Sequence, residues 1–234
     1  MSALPAQVRA RLAAIADPVR APAMQAYMKS AMPYLGVSAV PLRQACKALF
    51  AERAYADSAA WQADVLALWR GAHFREERYA AIALSGIRAA RAFQRMDALG
   101  LYEEMIVAGA WWDYVDTIAA QRLPAILRAE PAPMRAAMLD WAAGADMWKR
   151  RGAILCQLNA GTGTDFDLLR ACIAPSLEAR DFFLRKAIGW ALRQYARTDP
   201  DAVRHYVAAH ADRLSPLSTR EALKRIGPGE GPSS

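Results

Sequence analysis

Apolar positions along this chain fall at the i, i+3, i+4 and i+7 intervals of amphipathic helices, and a longer period is superimposed on them. A small residue followed by a larger, mostly apolar one stands at Ala45-Cys46, Ala81-Ile82, Thr117-Ile118, Ala153-Ile154, Ala187-Ile188 and Ala222-Leu223. Successive copies lie 34 to 36 residues apart. A helical pair repeated at that period cannot bury its apolar face alone and must stack on its neighbours. The pattern predicts an all-α chain of about six helical-pair repeats, stacked into a curved superhelix with its function on the concave face.

An array of this kind has no internal boundary, so a single domain over 1–226 is expected. The final Gly227-Pro228-Gly229-Glu230-Gly231-Pro232-Ser233-Ser234 reads as a disordered tail, 227–234. A hydrophobic content of 55 % with 7 Trp supplies material for the core. No uncharged run approaches the roughly 18 residues that span a bilayer, and no signal-type leader follows Met1. The expectation is a cytoplasmic protein without membrane partners. Cys46, Cys156 and Cys172 lack metal-ligand spacing and read as buried thiols, and His205 and His210, five apart, miss the i, i+4 spacing of a helical metal pair. No metal and no cofactor is expected.

Charge changes the picture through its distribution rather than its total of +7. Residues 1–96 carry 13 Lys/Arg against 6 Asp/Glu, 97–146 carry 3 against 8, and 147–204 carry 10 against 6. Two basic arms flank an acidic middle, which suits a polyanion gripped at both ends with a carboxylate presented between. Arg-rich helices that merely solvate an outer face would give the same totals.

Three segments narrow the choice. Lys186, Trp190, Arg193 and Arg197 share one helix face, almost opposite Leu184, Ile188, Ala191 and Tyr195, so the first stripe is expected to be exposed and the second buried. A Trp among cations on a solvent face fits nucleic-acid contact, where guanidinium forks take phosphates and an indole lies against a sugar or base. The plainer alternative is a Trp190 half-buried against a neighbouring repeat. In Trp111-Trp112-Asp113-Tyr114-Val115-Asp116, the residues Trp111, Val115 and Ile118 share a core face while Trp112 and Asp116 share another. Asp116 stands two residues before the larger marker residue, where the other repeats have Gln44, Ala80, Gly152, Lys186 and Glu221, so repeat position does not demand an acid. Finally Asp146 reads as the N-cap of a helix opening Met147-Trp148-Lys149-Arg150-Arg151. Cations in a first turn oppose the helix dipole, and the mismatch favours an anionic partner.

These segments, with Met147 to Leu155 and Phe182 to Ala196 taken whole, closely resemble the AlkD family of bacterial alkylpurine DNA glycosylases. Tyr27-Met28-Lys29, Leu35-Gly36-Val37 and the run Leu214 to Ala222 extend the resemblance over nearly the whole chain. The resemblance implies a right-handed α–α superhelix of HEAT-like repeats that holds double-stranded DNA as a monomer in the bacterial cytosol. It implies release of cationic alkylated purines such as N3-methyladenine and N7-methylguanine, with bulky N3 or N7 adducts as further candidates. By the same resemblance Asp116 is the catalytic carboxylate, Trp112 and Trp190 pack against the lesion's deoxyribose, and Arg151 and Arg193 hold phosphates. Tyr27 is the contact from the N-terminal helices, and Lys149, Arg150, Lys186 and Arg197 complete the DNA-binding set. Ser38 stands where the family commonly has a Gln.

The chemistry suits these side chains. A purine alkylated at N3 or N7 leaves as a neutral base without a general acid, so the protein has only to stabilise an oxocarbenium-like sugar and place a water at C1′. A carboxylate does both, and Trp faces add cation–π attraction. No Lys is paired with Asp116 in these motifs, so a monofunctional hydrolase is expected. The chain has no helix-hairpin-helix or zinc-deaminase signature, and the resemblance implies action through the sugar and backbone without enclosing the base, with selection mainly by the lesion's own charge. A non-catalytic DNA-binding protein and a protein–protein scaffold are the other readings. The scaffold expects an apolar groove instead of the Lys186 to Arg197 stripe, and an affinity with little salt dependence.

Overall fold

The computed structural model describes residues 3–226, so the predicted tail at 227–234 lies outside the described residues. Among the described residues there are fourteen α-helices and short 3-10 turns, and no strand. The helices are α1 Leu4–Ala13, α2 Ala21–Tyr27, α3 Ala39–Phe50, α4 Ser58–Arg70, α5 Arg75–Ser85, α6 Leu99–Gly109 and α7 Trp112–Gln121. They continue as α8 Leu123–Ala129, α9 Pro131–Ala143, α10 Met147–Leu155, α11 Phe166–Ile173, α12 Phe182–Tyr195, α13 Pro200–Ala209 and α14 Pro216–Leu223. The six sequence markers fall on α3, α5, α7, α10, α12 and α14, one helix per repeat, so the period seen in the sequence is the period of the fold.

The chain divides into two compact units, Met1–Leu101 and Tyr102–Ser234. In the first, Leu4, Val8 and Leu12 of α1 stand four apart and are buried against α3, α4 and α5. Trp61, Val65, Leu68 and Trp69 of α4 and Ala80, Ala81, Ile82 and Leu84 of α5 complete that core. The loop entering α3 is pinned by the buried Glu76, whose carboxylate accepts the backbone N–H groups of Leu35, Gly36 and Val37 at 2.8–3.0 Å. Gly36 has φ +84°, and a Cβ there would stand 2.0 Å from the Asp17 carbonyl oxygen, so only glycine fits.

In the second unit α7, α10, α12 and α14 pack side by side in that order, with α9, α11 and α13 laid against them as a second layer. The markers Ile118, Ala153, Ile154, Ala187, Ile188 and Ala222 are buried between the layers. Asp146, Asp165, Asp181, Asp199 and Ser215 each cap the helix that follows by accepting a backbone N–H. The α12 and α14 backbones come unusually close. A Cβ on Gly189 would lie 2.5 Å from Glu221 Cβ and 2.9 Å from the Ser218 carbonyl oxygen. Ser218 Oγ donates to the Arg185 carbonyl oxygen at 3.0 Å and locks the approach.

Candidate active site and nucleic-acid interface

Asp116 sits in the middle of α7, its side chain 12 % exposed. The buried Arg151 of α10 donates to it twice, from Nε to Oδ1 at 2.6 Å and from Nη2 to Oδ2 at 2.8 Å. Arg151 Nη1 donates to the Phe183 carbonyl oxygen in the first turn of α12. One guanidinium thus joins three consecutive repeats and orients the carboxylate. Burial pushes the Asp116 carboxyl above the usual carboxylate range, while the bonds and charge of Arg151 pull it down and the neighbouring Asp113 adds to the rise. Trp112, one turn before Asp116 on the same helix, is half-buried.

Around Arg151 lies an aromatic cluster. Phe183 meets Trp148 at 5.1 Å and Trp111 edge-on at 5.6 Å between ring centroids, and the Arg151 guanidinium lies 5.9 Å from the Phe183 ring. Val115 and Ile118 are fully buried, as the face assignment on α7 requires. Trp111 shares their side but is only half-buried, and its indole N–H has no partner among the described residues.

The α12 stripe is more covered than its helical geometry alone suggests. Lys186 and Arg193 side chains are 40 % and 20 % exposed, Trp190 is half-buried, and of the four only Arg197 is exposed. The cause is α14. Its Glu221, with a side chain 12 % exposed, accepts from Lys186 Nζ at 2.9 Å and from Arg193 Nη1. The Lys186 hydrogen bond leads the influences that hold the Glu221 carboxyl below its ordinary value, with burial opposing and the charges of Lys186, Arg193 and Lys224 assisting. The opposite stripe is buried as expected at Leu184, Ile188 and Ala191, but Tyr195 is only half-buried, stacked on Phe166 at 4.4 Å near the end of the helix. Arg197 lines a cavity of about 390 Å³ together with Asn159, Gln194 and Thr198.

Two of the three cations opening α10 find carboxylates inside the protein. Asp146 caps the helix through the Lys149 N–H at 2.8 Å, and Lys149 Nζ donates to Glu103 at 2.6 Å. Arg150 donates to Ser176 Oγ and to the Pro175 carbonyl oxygen. With Arg151 on Asp116, two of the three cations in this first turn are compensated by carboxylates, while Arg150 rests on neutral oxygens. Tyr27 ends α2 in the first unit and is 78 % exposed. Ser38 is the residue before α3; its hydroxyl makes no cap, although its carbonyl oxygen accepts from Leu42. Among the described residues no group of three His, Cys, Asp or Glu side chains could hold a metal ion, and no helix is long and apolar enough to cross a membrane.

The partners Glu103, Phe183 and Glu221 were not among the residues expected from the sequence to form the site. Glu221 had a signal, since it stands at the same repeat position as Asp116.

Comparison with known proteins gives a consistent result. The family model for the DNA alkylation repair enzyme matches residues 8–226. The chain is similar to a solved structure, described as a predicted DNA alkylation repair enzyme from Enterococcus faecalis, with a TM-score of 0.82 and 27 % identity. The match covers 92 % of this chain and 98 % of that one. No curated protein matches.

Proposed function

This chain belongs to the DNA alkylation repair enzyme family, and on that footing we propose that it is a monofunctional DNA glycosylase releasing cationic alkylated purines from duplex DNA. The observation that carries the reading is the Asp116–Arg151 pair: a carboxylate 12 % exposed, oriented by a bidentate guanidinium, one turn from a half-buried Trp112. A carboxylate so held undergoes little reorganisation when positive charge develops on a sugar, which is the condition for electrostatic stabilisation of an oxocarbenium-like transition state. A carboxylate can also orient a water for attack at C1′. Indole faces at Trp112 and Trp190 add cation–π attraction to the same charge and exclude bulk water. N3-methyladenine and N7-methylguanine carry the positive charge that makes the base a good leaving group. Neutral lesions such as uracil lack it and should not be released.

One observation favours a second reading, a DNA-binding protein without catalysis: both oxygens of Asp116 are already engaged by Arg151. Base release from a duplex carrying one N7-methylguanine, compared between the native chain and Asp116→Asn, separates the two. Release by the native chain that falls by orders of magnitude in the variant, with DNA binding kept, supports the glycosylase. Salt-sensitive binding with no release by the native chain supports the second reading.

A further inference from the structure

The geometry points to Glu221 as a positioning residue for the α12 contact face, one that holds Lys186 and Arg193 as a fixed pair flanking Trp190 and lowers the net charge they present to DNA. The inference rests on the reading of this face as a DNA contact.

Lys186 and Arg193 lie four residues before and three after Trp190, so both flank the indole along one side of α12. Left alone on a helix surface, two long cationic side chains would sample many rotamers and repel each other. Here both end on one carboxylate. That carboxylate is not free to move away. Gly189 lets the α14 backbone approach α12 until Glu221 Cβ stands 2.5 Å from where a side chain on residue 189 would begin, and the Ser218–Arg185 bond holds it there. The gradient of exposure shows which side is the support and which the working face. Glu221 is 12 % exposed beneath Arg193 at 20 % and Lys186 at 40 %. Lys186 has further ammonium protons and Arg193 its remaining guanidinium N–H groups for an outside anion.

The repeat architecture gives this arrangement a counterpart. Asp116 and Glu221 stand two residues before their larger marker residues on α7 and α14, are equally exposed, and each accept a cation from the adjacent helix of the same layer. Two repeats therefore present a carboxylate at one register, each joined to a cation of the adjacent helix. At Asp116 the guanidinium supports the carboxylate; at Glu221 the carboxylate supports the cations. The second arrangement leaves one net positive charge where three unscreened groups would otherwise be two cations and a distant acid. Undamaged duplex is then held less tightly, and ordering of the two cations precedes binding.

The test is Glu221→Gln, which keeps the shape and removes the charge, with Glu221→Asp as the charge-preserving control. Binding to undamaged duplex is measured from low to high salt, and N7-methylguanine release is measured in single turnover at saturating protein. Glu221→Gln is expected to steepen the salt slope by up to about one unit through the freed cation. The same variant is expected to slow release about tenfold, as the loss of one charge-assisted bond would. Glu221→Asp should restore the native slope. In a Lys186→Met, Arg193→Met background the Gln substitution should change nothing further. An unchanged slope in a folded Glu221→Gln variant, or a steeper slope that survives the double Met background, overturns the inference. A native chain that binds DNA but releases no base overturns the glycosylase reading alone, and the slope then decides this one. A native chain that binds no DNA overturns both.

Discussion

Replacing Arg151 with Met removes the cation of the Asp116 pair while keeping most of its volume, and the structure sets the size of the effect. Two donated bonds at 2.6 and 2.8 Å are lost, together with the bond to the Phe183 carbonyl oxygen that ties α10 to α12. Breaking a buried ion pair from one side costs about 3–5 kcal/mol, because the remaining charge is left without a partner. Asp116 is 12 % exposed, so some water reaches it and the lower end of that range applies. For a chain of this size each kcal/mol moves Tm by about 2–4 °C, so Arg151→Met should unfold about 6–12 °C below the native protein.

The pH dependence makes the reasoning refutable. Burial already raises the Asp116 carboxyl, and in the variant the main opposing influence is gone, so it rises further. A folded carboxyl that binds its proton more tightly than the unfolded one makes stability fall as pH rises between the two pKa values. The deficit of Arg151→Met, measured by urea unfolding, should therefore be smaller at pH 4 than at pH 8. Base release depends on the ionised carboxylate and runs the other way, so the acid limb of its pH profile should move to higher pH in the variant. A deficit below about 1 kcal/mol at pH 8, or one that does not shrink on acidification, would mean that the pair is not an interior one.

Four further outcomes follow from local surroundings. Gly189→Ala puts a Cβ 2.5 Å from Glu221 Cβ and should cost about 1–3 kcal/mol in chemical denaturation. Gly152→Ala, with nothing nearer than 3.5 Å, should be neutral or stabilising by up to about 1 kcal/mol. Ala110, just after α6 and before Trp111, has φ +43°, so Ala110→Gly should stabilise by about 0.5–1 kcal/mol, read as a raised Tm. Burial pushes the Cys46 and Cys172 thiols up to about 12, so iodoacetamide at pH 8 should leave both unmodified in the native chain and label them in urea.

The fold was legible where local rules and repeat rules coincide. All six markers fall on helices of the predicted kind, because a small residue followed by a large apolar one reports close packing of neighbouring helices, and close packing is what a repeat conserves in register. The Asp146 cap was legible for the same local reason.

The site shows a different limit. Helix periodicity says which residues share a face; it does not say what stands 35 residues away across that face. Asp116 stood out because an acid beside two Trp residues is locally unusual, and Arg151, expected on a phosphate, donates to Asp116 because its own face of α10 abuts α7. Lys186 and Arg193 were read as exposed because they oppose the buried stripe of α12, a valid inference for a helix with one packed side. α12 has more than one, since α10 and α14 both pack against it. The sign of this was Gly189 in the middle of a helix rich in large side chains, a substitution that costs helix stability unless another backbone uses the space. Here α14 uses it, and brings Glu221 with it. In a stacked array, a glycine in a helix interior is therefore a better guide to which charges are paired than the pattern of the charges themselves.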